Sequence, residues 1–242
     1  MEAGGAEQTP IAGLAIALTS LMALSLLIRP GWMVWGVGLD TLFVSIMYVL
    51  GMRVVFRQED MRRRERQSER TQGPRSVQER RDTRQDRIRH SATRFALAAL
   101  TLLIAAPSLA WSAREIAFIT GISSTFVGTS LVAITTSFPE LVSAVSAVRL
   151  GAFDLAVGNL FGSNALNMSA TCLADAAYRS GPLLSVASST HAVTAVAGVL
   201  LMTIGLMGIV YRAEKRFWLI EPDSVLMILG YIIVLGLLYR LG

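Results

Sequence analysis

The residue with the clearest chemical demand is Glu140, which follows Pro139 in the stretch Thr135-Thr136-Ser137-Phe138-Pro139-Glu140 of an otherwise apolar segment. An ionisable side chain in hydrocarbon is costly and reads by default as a functional group. Proline has no N–H, and its ring clashes with the carbonyl one turn back. The Thr135 carbonyl is therefore released, the helix is expected to distort at Pro139, and the freed oxygen needs a polar partner. Thr136 and Ser137 precede Glu140 by four and three residues and Ser143 follows it by three, so these oxygens share one helical face.

A second polar stretch comes after a short turn: Gly158-Asn159-Leu160-Phe161-Gly162-Ser163-Asn164-Ala165-Leu166-Asn167. Asn159, Ser163 and Asn167 recur every four residues as a stripe, with Gly158 and Gly162 on the adjacent row. Small residues let a neighbouring backbone approach, which would set the stripe against the Glu140 face. Hydroxyl, amide, carbonyl and carboxylate oxygens suit hard cations such as Na⁺ and Ca²⁺, and no Cys/His cluster points to zinc or copper. Calcium takes about 6 to 8 oxygens, and one carboxylate cannot neutralise it in a low-dielectric pocket. The two stretches make half a calcium site.

The elements that must hold these residues are transmembrane helices. Of the 242 residues 53% are hydrophobic, and mean hydropathy is +0.53. The apolar residues fall in blocks that are apolar all round, such as 11–28 and 192–210, as expected of an all-α polytopic membrane protein. Seven spans are expected, at about 11–28, 34–56, 95–111, 115–148, 153–177, 191–211 and 223–239. The chain then divides into two spans (1–56), an arginine-rich loop (57–94) and five spans (95–242) carrying the cation motifs at 128–167. The fourth span is too long for a straight crossing and holds Pro139, which suggests a tilted or broken helix.

The loop carries Arg62, Arg63, Arg64, Arg66, Arg80, Arg81, Arg84 and Arg87 among acidic residues, and much of the net charge of +5 comes from it. It reads as a solvated cytoplasmic connector, helical or disordered, whose acidic residues offset much of its charge, with docking to anionic lipid headgroups as the alternative; membrane lipid is the expected partner of the spans. No aromatic residue interleaves with the arginines, so nucleic acid has no stacking platform. Counting spans from this loop puts Met1, Arg149 and the Arg212–Arg216 break inside and Gly242 outside, so every strongly basic break falls on one face. Met1–Pro10 lacks a signal-peptide pattern. Asp40 and Asp175 read as interfacial, Asp154 as a helix N-terminal charge, and Cys172 as packing. His90 and His191 stand without partners. No nucleophile has a base beside it, and the glycines of 158–163 precede no Lys-Ser/Thr, so an enzyme is not expected.

The residues from Gly128 to Asn167, GTSLVAITTSFPELVSAVSAVRLGAFDLAVGNLFGSNALN, resemble the second of two inverted repeats of the sodium/calcium exchanger family of cation/Ca²⁺ antiporters. The resemblance covers nearly the whole chain and implies an inverted-repeat antiporter fold in the inner (plasma) membrane of bacterial type. Its implied activity is exchange of Ca²⁺ for Na⁺, or H⁺, by alternating access, with no cofactor besides the transported cations. By the same resemblance Glu140 is the central cation carboxylate, and Thr136, Ser137 and Ser163 are hydroxyl ligands. Ala133 gives a backbone carbonyl, and Asn167 coordinates as a neutral amide. Glu140, Ser137 and Asn167 head the Ca²⁺/Na⁺ set, with Pro139, Asn159, Gly158, Gly162 and Asn164 in support. Thr135 and Phe138 depart from the usual Gly and Leu. A second Pro-Glu and Gly-Ser-Asn pair is absent from the chain, so the fold is expected to lack its first repeat. The missing helices would come from the same gene or a separate subunit. The rival reading is a non-transporting scaffold or lipid-binding fragment.

Overall fold

A computed structural model of the chain describes residues 9–69, 79–211 and 222–241. The first helix, α1 (Thr9–Ile28), ends where Arg29 and Gly31 take left-handed backbone angles, φ 50° and 69°. A two-stranded hairpin follows, β1 (Met33–Val34) and β2 (Val37–Gly38), paired Met33 to Gly38 and Val34 to Val37. Trp35 and Gly36 at its tip both have positive φ, 53° and 81°, as a two-residue turn of matching twist requires. The hairpin takes up the start of the expected second span, so the helix begins at Leu39, not Val34.

The remaining elements are helical: α2 (Leu39–Glu69), α3 (Glu79–Thr120), α4 (Ser124–Val127), a π-helical turn (Gly128–Val132), α5 (Ala133–Arg149), α6 (Phe153–Ala177), α7 (Leu183–Val186), α8 (Thr190–Tyr211) and α9 (Pro222–Leu241). The backbone of the arginine-rich stretch is thus helical at both ends, as extensions of α2 and α3. The side chains of its arginines between 62 and 87, and of His90, lie outside the described residues, as do residues 1–8 and the 212–216 break. The expected break at 112–114 is also displaced. Helix α3 runs on to Thr120, and the chain turns at Gly121, whose φ of 70° suits glycine. Ser123 then opens the next helix, its Oγ accepting from Phe126 N at 3.1 Å.

The protein is an all-α polytopic membrane protein. Among the described residues six helices are long and apolar enough to cross a bilayer: Thr9–Ile28, Leu39–Gln58, Ala92–Thr120, Ser124–Arg149, Thr190–Val210 and Asp223–Leu241. Helix α6, the fifth expected span, is 25 residues long and clears the required length of about 20. It falls outside the six because Asp154, Asn159, Asn164, Asn167 and Asp175 dilute its apolar content. Its neighbours compensate, because α6 packs against α1, α2 and α5.

Helix α1 is the hub. Ile11, Ala12, Ala15, Leu18, Met22 and Leu26 form its buried stripe and meet Val44 of α2, Phe161 and Ala165 of α6, Leu184 of α7 and Ala192 of α8. The alanines bring α6 and α8 close, and methyl-sized steps need little side-chain ordering. By contrast, none of the most apolar stretch of α3 is buried, so that helix turns its side chains outward.

One polar cluster fixes the end of this assembly. Asp175, fully buried near the end of α6, accepts from Gly38 N at 2.8 Å and from the Thr41 hydroxyl through Oδ2, and from Leu183 N at 2.8 Å through Oδ1. The sequence places this residue at the interface; the structure makes it a clasp joining α6, the hairpin and α7. Asp175→Ala strands three donors and is expected to cost about 3 kcal/mol, whereas Asp175→Asn keeps one acceptor oxygen and costs less. Thermal unfolding in detergent, followed by tryptophan fluorescence, orders the three proteins.

Candidate cation-binding site

The rod that carries Glu140 is α4, the π turn and α5 in continuous succession. Within it Ala133 N donates to Gly128 O, five residues back, which is the widened π geometry. The distortion therefore lies about two to three turns before Pro139, and α5 continues through the proline. Gly128 has no side chain to resist widening, and hydroxyls take up the carbonyls around it. Ser130 Oγ donates to Phe126 O at 2.6 Å, Thr135 Oγ1 to Leu131 O at 2.8 Å, and Thr136 Oγ1 to Val132 O at 2.9 Å. Such back-bonding to the preceding turn loosens and bends helices.

Two of the expected ligands already touch. Thr136 Oγ1 lies 3.2 Å from the Ala133 carbonyl, so a hydroxyl and a backbone oxygen sit side by side one turn before Glu140. The link to α6 is Asn159, whose Nδ2 reaches the Glu140 carbonyl at 3.5 Å. A tight turn makes this possible: Gly151 has φ 71°, and Ala152 N donates to Ala147 O at 2.8 Å. It folds α6 back along α5. On α6, Ser163 Oγ and Asn164 Nδ2 both donate to Leu160 O, at 3.1 and 2.9 Å, and the Asn167 carbonyl accepts from Thr171 Oγ1 at 3.3 Å.

Burial divides the set. Ala133, Glu140, Asn159, Ser163 and Asn164 are half-buried, whereas Thr136, Ser137, Pro139 and Asn167 are exposed. The candidate ligands on α5 and α6 are thus partly or fully open, and the contact between the two helices that joins them is Asn159 to the Glu140 carbonyl. Gly162 serves a different neighbour from the one its spacing suggests. A Cβ there would lie 3.3 Å from Ile11 Cδ1, so this glycine seats α6 on α1 and not on α5. Among the described residues no three His, Cys, Asp or Glu side chains gather into a metal cluster. The donors around Glu140 are one carboxylate and neutral oxygens, a set that takes a hard cation only with further ligands.

Sequence comparison bears on this arrangement. The family profile described as sodium/calcium exchanger protein matches residues 90–240, which take in both polar motifs and the helices from α3 to α9. The chain belongs to the sodium/calcium exchanger family. Among curated relatives it is 54% identical over 48 residues to the sodium/calcium exchanger MaX1 of Methanosarcina acetivorans, covering 20% of this chain and 14% of that protein. It is 32% identical over 152 residues to the "Putative antiporter CaxA" of Alkalimonas amylolytica, covering 62% of this chain and 45% of that one. The inner membrane protein YrbG of Escherichia coli is 47% identical over 47 residues, 19% of this chain and 14% of its own length. The chain therefore spans less than half the length of these relatives. No solved structure gives a significant match.

In this exchanger-family chain the α5–α6 turn and the α1–α6 contact position the candidate ligands. Gly162→Ala asks the Ile11 side-chain tip to shift by a few tenths of an ångström and is expected to change stability little. Gly162→Leu overfills the contact and is expected to cost about 1–3 kcal/mol, read as a lower unfolding temperature in detergent.

Proposed function

We propose that the protein is a cation antiporter exchanging Ca²⁺ for Na⁺ or H⁺ by alternating access, with Glu140 as the charged ligand common to both ions. The observation that carries this reading is the conjunction at one face of the Glu140 carboxylate, the adjoining Thr136 hydroxyl and Ala133 carbonyl, and the Asn159 tie to α6. Ser137, Ser163 and Asn167 complete this half of the ligand set. Membership of the exchanger family and the names of the relatives support the same conclusion.

The physics of the site follows from charge. A half-buried carboxylate beside neutral oxygens attracts either a divalent ion or monovalent ions in its place, and the ion's own charge decides how much further ligation is needed. One carboxylate leaves a divalent ion with a net positive charge in a low-dielectric setting. The remaining ligands come from helices that cover the exposed face of Thr136, Ser137 and Asn167, and these we take to be the family's first repeat. Alternating access then consists of moving those helices against the α5–α6 pair. The one-sided arginines orient the chain with Thr9 toward the cytoplasm and Leu241 outside, in an inner membrane of bacterial type.

Two outcomes follow. In a protein carrying both repeats, Glu140→Gln is expected to abolish gradient-driven Ca²⁺ uptake into vesicles, at least a hundredfold, and undiminished exchange would refute the assignment. The purified 242-residue chain, with its ligand face open, is expected to give no Ca²⁺ flux under an imposed Na⁺ or H⁺ gradient. Flux from that chain alone would show that the half-site suffices.

A further inference from the structure

The chain passes from α1 to α2 through a hairpin that carries more apolar surface than a turn facing water needs. Trp32, Met33, Val34 and Trp35 are all exposed, and Trp35, at the tip, is 97% exposed. Leu27 and Ile28 at the end of α1 and Leu39 and Phe43 at the start of α2 are exposed as well, so the apolar surface of the two spans continues into the hairpin. Trp35 is also an unfavourable residue for its backbone. At φ 53° it holds the first central position of the two-residue turn, where Asn, Asp or Gly is favoured and a bulky residue sets its Cβ against the following carbonyl. A strained position filled by a large ring calls for a compensating contact, and the described residues provide none. The base of the hairpin is nonetheless held firmly. Leu39 N donates to Trp32 O at 3.0 Å, Gly38 N to Asp175 Oδ2 at 2.8 Å, and Arg29 Nη2 to Ala187 O at 2.8 Å. The tip is thereby fixed relative to α6 and to the segment between α7 and α8.

We propose that this hairpin is a membrane-interface anchor, with Trp32 and Trp35 seated in the headgroup region of a phospholipid bilayer, at the end of α2 opposite the arginine-rich stretch. The spans themselves set the level. Residues 29–38 lie between Thr9–Ile28 and Leu39–Gln58, at the height where both helices leave the hydrocarbon. Tryptophan is favoured there because its ring is apolar while its N–H seeks a polar partner. From Pro30 to Leu39 the sequence carries no charged side chain, so entering the interface strips water from no ion. The hairpin cannot sink further. A two-stranded sheet has open edges, whose N–H and C=O groups find partners among lipid carbonyls, phosphates and water but none in hydrocarbon. Contact with the bilayer offsets the backbone strain at Trp35. Because Asp175 clasps the hairpin to α6, the headgroup level also fixes the depth of the helix that bears Asn159, Ser163 and Asn167. The competing occupant is a protein surface, and the two differ in what can reach the Trp35 ring.

The test leaves Trp35 as the sole tryptophan of the 242-residue chain, through Trp32→Phe, Trp111→Phe and Trp218→Phe, in phosphatidylcholine vesicles. An interfacial ring is expected to emit to the blue of free tryptophan and to lose about half of its fluorescence to lipids brominated near the headgroup end of the acyl chain. Lipids brominated at the chain terminus should quench it less, and iodide on both sides of the vesicle very little. Emission and iodide quenching equal to those of free tryptophan would place the ring in water, and blue-shifted emission that neither quencher reaches would place it under protein; either overturns the anchor. Stronger quenching from the chain terminus overturns the interfacial level. With Trp32 as the sole reporter, Trp35→Asn relieves the turn but removes the ring, whereas Trp35→Phe keeps an aromatic. Quenching of Trp32 by the headgroup-end bromolipid is expected to fall about twofold with Asn and to be retained with Phe. Equal quenching in the two would show that the ring at position 35 holds nothing in place. An unfolding temperature matched to the parent, read by circular dichroism, shows that each variant is folded. Where it is lowered, the bromolipid-quenched emission that Trp35→Phe alone removes from the parent gives the same measurement with every other tryptophan in place. No readout depends on ion flux.

Discussion

Polar groups inside a bilayer must be satisfied by protein, and this chain is arranged around that demand. Helix α6 brings three asparagines and two aspartates into a bundle of apolar helices, and neighbouring elements answer Asp175 and Asn159. The hairpin and Thr41 answer Asp175, and Ser45 of α2 donates to the Ser169 carbonyl at 2.8 Å. Asn159 reaches the Glu140 carbonyl. Helix α1 supplies the opposite kind of support, an alanine-lined stripe that holds α6 without asking anything polar of it. The candidate ligands on α5 and α6 are consequently set on a rigid base from behind, while their front remains open.

That asymmetry lets the same residues hold the helix together and stay open as candidate ligands. Hydroxyls on α5 fold back onto carbonyls of the preceding turn, and Thr136 with Val132 and Ala133 is the clearest instance. The proline does not break α5, and the glycine-led π turn precedes it. A helix without these features would have kept its carbonyls along its own axis.

Much of this was legible in the residues because the bilayer reduces spans to a count of apolar length. The spans, the one-sided arginines and the two polar motifs all rest on patterns within one segment. What was not legible depended on contacts between segments. Asp175 lies near a Gly-Pro loop and reads as interfacial until the hairpin is folded over it. Trp35 and Gly36 carry a turn signal too short to stand out against the apolar run around them. Gly121 ends α3 by its backbone angle, whereas Ser112-Ala113-Arg114 only resembled an ending. Gly162 obeys the small-residue rule, yet the rule does not say which helix arrives. The ligand roles expected of Thr136, Ser137, Ser163 and Asn167 rest on family resemblance, not on spacing.

The π turn at Gly128–Val132 also sets the azimuth of everything after it. Each residue of an α-helix advances about 100° around the axis, so an extra residue accommodated in one turn rotates all later side chains as a block. Glu140, Ser137 and Thr136 keep their mutual spacing whatever happens upstream; the direction in which they point is decided at the bulge. The candidate ligands are thus aimed by a backbone feature that contains none of them, and variation at Gly128–Val132 could redirect them while leaving their motif intact.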